Sequence, residues 1–142
     1  MSWFAGRGLQ LQAEMRSVVR RWRGIRSLVL VDSSGLPLAS SLGSMALEER
    51  LAALAAAARS LMVRSQDEVA LGPIHCLHLS AQDRQIFCLP VDDETLLAAI
   101  VEADANAADI GRQLATTARR LLADLPAPDD ESTSGPSSAD PI

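Results

Sequence analysis

Two cysteines and two histidines are the residues of this chain whose types and spacing come closest to a reactive or metal-binding site. Cys76, His78 and Cys88 offer thiolate and imidazole ligands of the kind that zinc prefers, on two neighbouring predicted strands. The set lacks a fourth ligand and a Cys-x-x-Cys pair, and its thiols face each other only if the strand register allows it. A disulfide is disfavoured in a reducing compartment. The sequence therefore predicts two free, half-buried thiols, no metal and no cofactor.

The other candidates for acid–base chemistry are isolated as well. His75 and His78 project to opposite sides of a predicted strand, so they cannot act as a pair. Asp92, Asp93 and Glu94 form an acidic run, but it falls in a turn with no histidine or nucleophile nearby. A solvated cluster of charges is the simpler interpretation. We predict no catalytic residue in this chain.

All thirteen basic residues are arginine, so the chain contains no lysine. A Walker-A loop places a lysine on the β- and γ-phosphates, a protein kinase needs its strand lysine, and a Schiff-base enzyme needs an amine. These three classes are therefore excluded. The chain can bind a nucleotide-binding protein, but it is not itself one of the Walker-A kind.

The net charge of −5 comes from the C-terminal segment and not from the body of the chain. Residues 1–123 hold thirteen arginines and thirteen acidic residues, whereas residues 124–142 hold five acidic residues and no arginine. A neutral body without a basic run or an aromatic platform argues against nucleic-acid binding. No apolar segment reaches the ~18 residues of a membrane span, and Trp3 and Phe4 alone give only marginal membrane affinity. Since the N-terminus also lacks a cleavable apolar leader, we expect a cytoplasmic protein without stable membrane association.

The spacing of apolar residues predicts the helices and strands that position these side chains. An apolar stripe at helical spacing begins at Leu11, and Gly24 ends the predicted helix that carries it. A β-branched run, a turn around Gly35 and a second short run then predict a β-hairpin. A long helix, three strands and a third helix follow at residues 44–67, 74–80, 85–91, 95–101 and 107–122. We divide the chain into an N-terminal extension (1–8), one domain (9–123) and a disordered, acidic tail rich in proline and serine (124–142).

The second helix carries an alanine-rich face that predicts a contact with another protein. At 100° per residue, five apolar residues share the side expected to face the sheet: Leu47, Leu51, Leu54, Ala58 and Leu61. The opposite side and its borders give the predicted interface: Arg50, Ala52, Ala53, Ala56, Arg59, Ser60, Val63 and Arg64. Small side chains let a second backbone approach closely, and charged borders are typical of a protein-binding rim. The alternative is that alanine is present only because it is the best helix former.

Residues 24–40, GIRSLVLVDSSGLPLAS, resemble the roadblock/LC7 family. That family has a helix, a glycine, a strand, a D-x-x-G-x-P-x-A turn and then a long helix, and the resemblance covers roughly residues 9–123. It implies an α/β (more narrowly α+β), profilin-like fold in the order α-β-β-α-β-β-β-α. The second helix lies on one face of a five-stranded antiparallel sheet, and the first and third helices lie on the other. The resemblance also implies a homodimer through the second helix and the third strand, with Ile74, Cys76 and His78 at that edge.

The resemblance implies a function as well as a fold. Bacterial members of the MglB type regulate a small Ras-like GTPase, and eukaryotic members are dynein light chains and scaffold subunits. We therefore expect a non-enzymatic homodimer that binds a small Ras-like GTPase through its second helices and alters GTP hydrolysis or exchange. Arg50, Arg59 and Arg64 are the candidates for an arginine finger. The alternative is a structural subunit of a larger cytoplasmic or motor-type assembly that leaves nucleotide turnover unchanged.

Overall fold

The computed structural model describes residues 6–123. Three helices and five strands follow each other in the predicted order: α1 (Gly8–Arg21), β1 (Ile25–Asp32), β2 (Pro37–Ser40), α2 (Met45–Val69), β3 (Leu77–Ser80), β4 (Arg84–Pro90), β5 (Thr95–Glu102) and α3 (Ala107–Ala123). Helix α1 begins at Gly8, inside the segment that we predicted as an N-terminal extension. The predictions for Trp3, Phe4 and the tail at 124–142 lie outside the described residues.

The five strands form one antiparallel sheet in the order β2-β1-β5-β4-β3. Strands β1 and β2 form the predicted hairpin, and β3, β4 and β5 form a meander that pairs with β1 through β5. Helix α2 packs mainly across β1 and β5 on one face, whereas α1 and α3 pack on the other face. The predicted fold class is therefore confirmed.

Asp32 holds the turn between β1 and β2. Its Oδ1 accepts hydrogen bonds from the backbone N–H groups of Ser34 (2.9 Å) and Leu36 (3.0 Å) and from the Ser34 hydroxyl (2.7 Å). Gly35 supplies the left-handed conformation that the turn needs, with φ of +91°. Burial of the carboxyl opposes its ionisation, but the hydrogen bonds prevail and hold the pKa of Asp32 below its ordinary value. An ionised carboxylate thus stabilises the hairpin.

The sheet separates two apolar clusters of almost entirely aliphatic side chains. The larger cluster lies beneath α1 and α3, and its fully buried members include Leu11, Met15, Leu28, Leu97 and Leu114. The smaller cluster lies beneath α2, and its sheet members are Val29, Val31, Cys88, Leu96 and Ala98. Phe87 is the one aromatic residue that either cluster contains among residues 6–123. The fold therefore depends on close packing of branched aliphatic residues, in agreement with the low aromatic content.

Strand β3 is shorter than the sequence predicts. Its ladder with β4 begins only at Leu77, so Ile74 and Cys76 precede the strand. Two residues further back, the ladder would meet Pro90, which has no N–H group to donate. The N–H group of Ile74 instead donates to Oε1 of Gln66 in α2, at 3.0 Å. The expectation that Ile74 and Cys76 lie in the edge strand is therefore wrong.

Cys76 and Cys88 do not face each other. Cys76 packs against the cluster beneath α1 and α3, whereas Cys88 belongs to the cluster beneath α2. Both thiols are free, Cys76 half-buried and Cys88 fully buried. Burial raises the pKa of both thiols, that of Cys88 to about 11. The two side chains pack in different clusters and form no disulfide.

Candidate protein-binding surface

The sheet face beneath α2 is built from cross-strand rows of side chains, because paired residues of neighbouring strands share a face. Three rows follow from the register: Val31 and Leu96; Val29, Ala98, Cys88 and Leu77; and Ile100, Ile86 and Leu79. Helix α2 covers the first two rows, but Ile86 and Ile100 are only half-buried and Leu79 is 56% exposed. We call these last three residues the uncovered row.

Helix α2 faces the sheet mainly with small side chains. Its buried residues are Leu51, Ala52, Ala55, Ala58 and Met62. Because the strands beneath supply bulky valine and leucine side chains, alanines allow the helix axis to lie close to the sheet. Ala52 is 0% exposed, so its predicted place on the partner-facing side is wrong.

Three leucines of α2 lie on the outside of the molecule and not against the sheet. Leu47, Leu54 and Leu61 are 41%, 55% and 53% exposed. They recur every seven residues, close to two helical turns, and so form one stripe along the helix, which we call the leucine stripe. This spacing is visible in the sequence. Our prediction placed the leucine stripe against the sheet because it assumed that the most apolar side of a helix faces the core. That rule fails here because alanines occupy the sheet-facing positions of α2.

The leucine stripe borders the uncovered row. The opposite flank of α2 is fixed at the turn end of the sheet, where Arg59 donates a hydrogen bond to the carbonyl of Asp93 in the β4–β5 turn. On the same flank, Ala56 lies beside Gly35 in the β1–β2 turn. The leucines project from the flank that points away from these turns, toward the end of the sheet that carries the uncovered row. We infer from this geometry that the two sets together form one apolar surface.

The other predicted interface residues of α2 divide into exposed and anchored ones. The exposed ones are Arg50, Ala53, Ser60, Val63 and Arg64. Arg64 pairs one turn further on with Glu68, at 3.1 Å, in an ion pair open to solvent. Arg59 and Ala56 are half-buried against the two turns. Of the three candidates for an arginine finger, Arg50 and Arg64 thus remain accessible, whereas Arg59 is held by its hydrogen bond to the β4–β5 turn.

His78 is the predicted edge residue that does lie in β3, and it faces away from α2. Its ring stacks on Phe87, with centroids 4.2 Å apart, and its Nε2 lies 2.6 Å from Oε1 of Gln85. Gln85 is 4% exposed and donates to the carbonyls of Glu102 and Ala105, at 2.9 and 3.0 Å. This network ties the edge strand to the connection between β5 and α3. The outer side of β3 has no strand partner within residues 6–123.

The concave features of the described chain are shallow and carry mixed charge. An open cleft of about 710 Å³ lies where α1 joins β1, lined by Trp22 with Arg23, Glu102 and Asp104 among others. Between residues 6 and 123, no group of three or more histidines, cysteines or carboxylates is placed to hold a metal ion. In the same range, no helix has the length and apolar content to cross a membrane. The apolar surface of α2 and the uncovered row is therefore the feature that best fits a binding role.

Comparison with known proteins gives a consistent result. A sequence profile of the Roadblock/LC7 domain matches residues 11–101, from α1 to β5. A Roadblock/LC7 domain from Streptomyces avermitilis is 22% identical with a TM-score of 0.71, over 78% of this chain and 92% of that chain. MglB from Myxococcus xanthus is 13% identical with a TM-score of 0.72, over 86% and 89% of the two chains. A profilin from Schizosaccharomyces pombe is 13% identical with a TM-score of 0.57, over 79% and 96%.

No curated protein sequence gives a significant match. The profile match nevertheless spans well over half of the chain, and the two structural likenesses cover 78% and 86% of it. The hairpin, the long second helix and all of the sheet except the last residue of β5 fall within the matched region. On this evidence, the chain belongs to the roadblock/LC7 family.

Proposed function

We propose that this protein is a homodimeric, non-enzymatic regulator of a small Ras-like GTPase. The observation that carries the proposal is the apolar surface formed by the leucine stripe and the uncovered row. Solvated helix faces are usually rich in charged residues, and contiguous exposed apolar surfaces mark protein contacts. We assign this surface first to a second copy of the chain.

A two-fold dimer would bury this surface through one contact that is made twice. Two antiparallel copies of α2 would place one leucine stripe against the other, each above the partner's uncovered row. The outer side of β3 carries neither a lysine nor a proline that would block pairing, so two edge strands can pair across the same axis. Such an interface has an apolar centre and places Arg50 and Arg64 toward its rim.

The GTPase is the second half of the proposal. Membership of the roadblock/LC7 family supports it, together with two exposed arginines, Arg50 and Arg64, on the helices that would pair. A bound protein changes hydrolysis or exchange by stabilising one conformation of the switch segments, and it needs no catalytic group for this. An accessible arginine can also stabilise the charge that develops on the transferred phosphate. Such a regulator acts in the cytoplasm and needs no cofactor, nucleic acid or membrane anchor.

The test is to measure GTP hydrolysis and nucleotide release by a candidate small Ras-like GTPase from the same genome. We expect the protein to co-elute with that GTPase and to change one of the two rates by about tenfold or more, a typical size for coupling between sites. The Arg50→Ala/Arg64→Ala variant should remain dimeric and lose most of this effect. Arg16→Ala, on the opposite face of the sheet, is the matched control and should retain it.

The two halves of the proposal fail in different ways. A complex that forms without a change in either rate would favour the alternative of a structural subunit. A stable dimer that neither co-elutes with the GTPase nor changes its rates would overturn the GTPase assignment and leave the dimer standing.

A further inference from the structure

The outer surface of α1 and α3 carries an excess of arginine that takes part in neither the proposed dimer contact nor the proposed GTPase contact. The exposed arginines are Arg16, Arg20 and Arg21 of α1, Arg23 two residues after it, and Arg112 and Arg119 of α3. The same two helices contain only two carboxylates, Glu14 and Asp109. We call these six arginines the arginine face.

Both carboxylates already have arginine partners. Oε2 of Glu14 lies 3.8 Å from Arg21 and 3.2 Å from Arg120, and Asp109 pairs with Arg112. The other four arginines of the face form no ion pair within 4.0 Å among the described residues. Arg23 lines the open cleft together with Glu102 and Asp104. The positive charge without an acidic partner is therefore concentrated at Arg16, Arg20 and Arg119.

The rest of the described body has the opposite sign. Residues 24–106, which comprise the sheet, α2 and their turns, hold five arginines and eleven acidic residues. The domain is thus electrically polarised, with the positive side on α1 and α3. An anionic segment is attracted to that side and repelled by the remainder of the surface.

Residues 124–142 of the same chain carry charge of the opposite sign and are long enough to extend across this face. The segment begins directly after α3 and holds five acidic residues and no basic one: Asp124, Asp129, Asp130, Glu131 and Asp140. At ~3.3 Å per residue its nineteen residues can span ~60 Å, more than twice the ~25 Å length of α3. Attachment to α3 also gives the segment an effective concentration in about the millimolar range.

We propose that residues 124–142 bind in cis across the arginine face, with their carboxylates against the guanidinium groups of Arg16, Arg20 and Arg119. Charge-assisted hydrogen bonds of this kind are strong but are screened by salt at exposed sites. The segment therefore covers the face until salt or a tighter-binding anion displaces it. This binding does not depend on the proposed function, because the arginine face and α2 lie on opposite faces of the sheet.

Nitrogen-15 NMR spectra of the full chain at low salt test this binding, through the backbone amides of α1 and α3 and the arginine Nε–Hε signals. The variant Asp129→Asn/Asp130→Asn/Glu131→Gln should shift the signals of Arg16, Arg20 and Arg119. These signals should move in the same direction as they do when high salt is added to the unmodified chain. The control Asp67→Asn/Glu68→Gln/Asp83→Asn removes the same charge from exposed residues elsewhere and should leave these signals in place.

The reciprocal variants complete the test. Arg16→Gln/Arg20→Gln/Arg119→Gln should shift the amides of residues 129–131, whereas Arg50→Gln/Arg64→Gln on α2 should not. Unchanged spectra in both directions would overturn the proposal. Binding to vesicles that contain phosphatidylglycerol, equally strong with and without the three tail charges, would also overturn it, since the face would then belong to a membrane surface.

Discussion

A side chain at Gly35 would place its Cβ only 3.2 Å from the Cβ of Ala56, so the β1–β2 turn and the middle of α2 meet without spare room. Gly35 also has a φ of +91°, which side chains other than that of glycine rarely tolerate. Two residues with minimal side chains thus allow α2 to approach this turn closely. This contact leads to a first prediction.

The Ala56→Arg variant should destabilise the folded domain. A long side chain at this position must displace either the turn or the helix, and overpacking of this kind costs about 1–3 kcal/mol. Denaturant unfolding at a fixed protein concentration measures the change. Ala53→Arg is the matched control, because Ala53 is exposed on the same helix and its replacement should cost less than about 0.5 kcal/mol. Equal stability of the two variants would contradict the contact.

The Leu54→Arg/Leu61→Arg variant should dissociate the proposed dimer and leave the monomer folded. Both leucines are more than half exposed in the single chain, so arginines there remain in water. In a dimer the same arginines would be buried without a partner, at a cost of several kcal/mol. Sedimentation should change from about 30 kDa, twice the 15.1 kDa of one chain, to the monomer mass.

The control for that experiment is Leu51→Arg. Leu51 is 2% exposed, and a charge there should unfold the domain. If Leu54→Arg/Leu61→Arg unfolded the protein as well, the leucines would face the sheet after all. A wild-type chain that stays monomeric at micromolar concentration would remove the dimer from the proposal.

The order of the elements was predictable because its signals are local. Asp32 and Gly35 specify a turn by their own hydrogen bonding and backbone freedom, and the periodicity of the flanking segments separates strands from helices. The family resemblance rests on the same short stretch. The fold was therefore predictable from this stretch together with the order of the elements around it.

The rotation of α2 about its axis was not predictable in the same way. Leucines and alanines both count as apolar, and only the bulk of the strand residues beneath decides which of them fit against the sheet. The start of β3 likewise depends on Pro90 in β4 and Gln66 in α2. These are tertiary effects, so the sequence placed the three leucines and Ala52 on the wrong sides of α2.

Stability below about pH 4 should depend on Asp32. Hydrogen bonds hold the pKa of this carboxyl below its ordinary value of 3.8, so its stabilising effect is full above that value and is lost as the pH falls further. At neutral pH, Asp32→Ala removes these acceptors and should cost about 1 kcal/mol. Asp32→Asn retains an acceptor oxygen without titrating and should show a flatter dependence on acid pH. Identical acid unfolding of Asp32→Asn and the unmodified chain would contradict this role.

The two thiols should differ in reactivity, with Cys88 the slower. Burial raises its pKa from 9.0 to about 11, so at pH 8 almost no thiolate is present and reagents have no access to it. Iodoacetamide followed by mass mapping should modify Cys76 first and both residues in denaturant. Because the folded state keeps the proton, stability should fall by about 2 kcal/mol between roughly pH 9 and 11. Cys88→Ala should remove most of that fall, and Cys76, whose pKa is also raised, accounts for the remainder.

Because alanines form the inner side of α2, substitutions that change which proteins the helix contacts need not change the stability of the fold as sequences evolve. Since the strands provide most of the bulk of the core beneath this helix, replacements on its outer side leave that core unchanged. Duplicated genes can therefore exchange the leucines, arginines and small residues of the outer side at little cost to folding. Lineages that keep the same sheet are free to diverge in which copies they assemble with and which proteins they recognise.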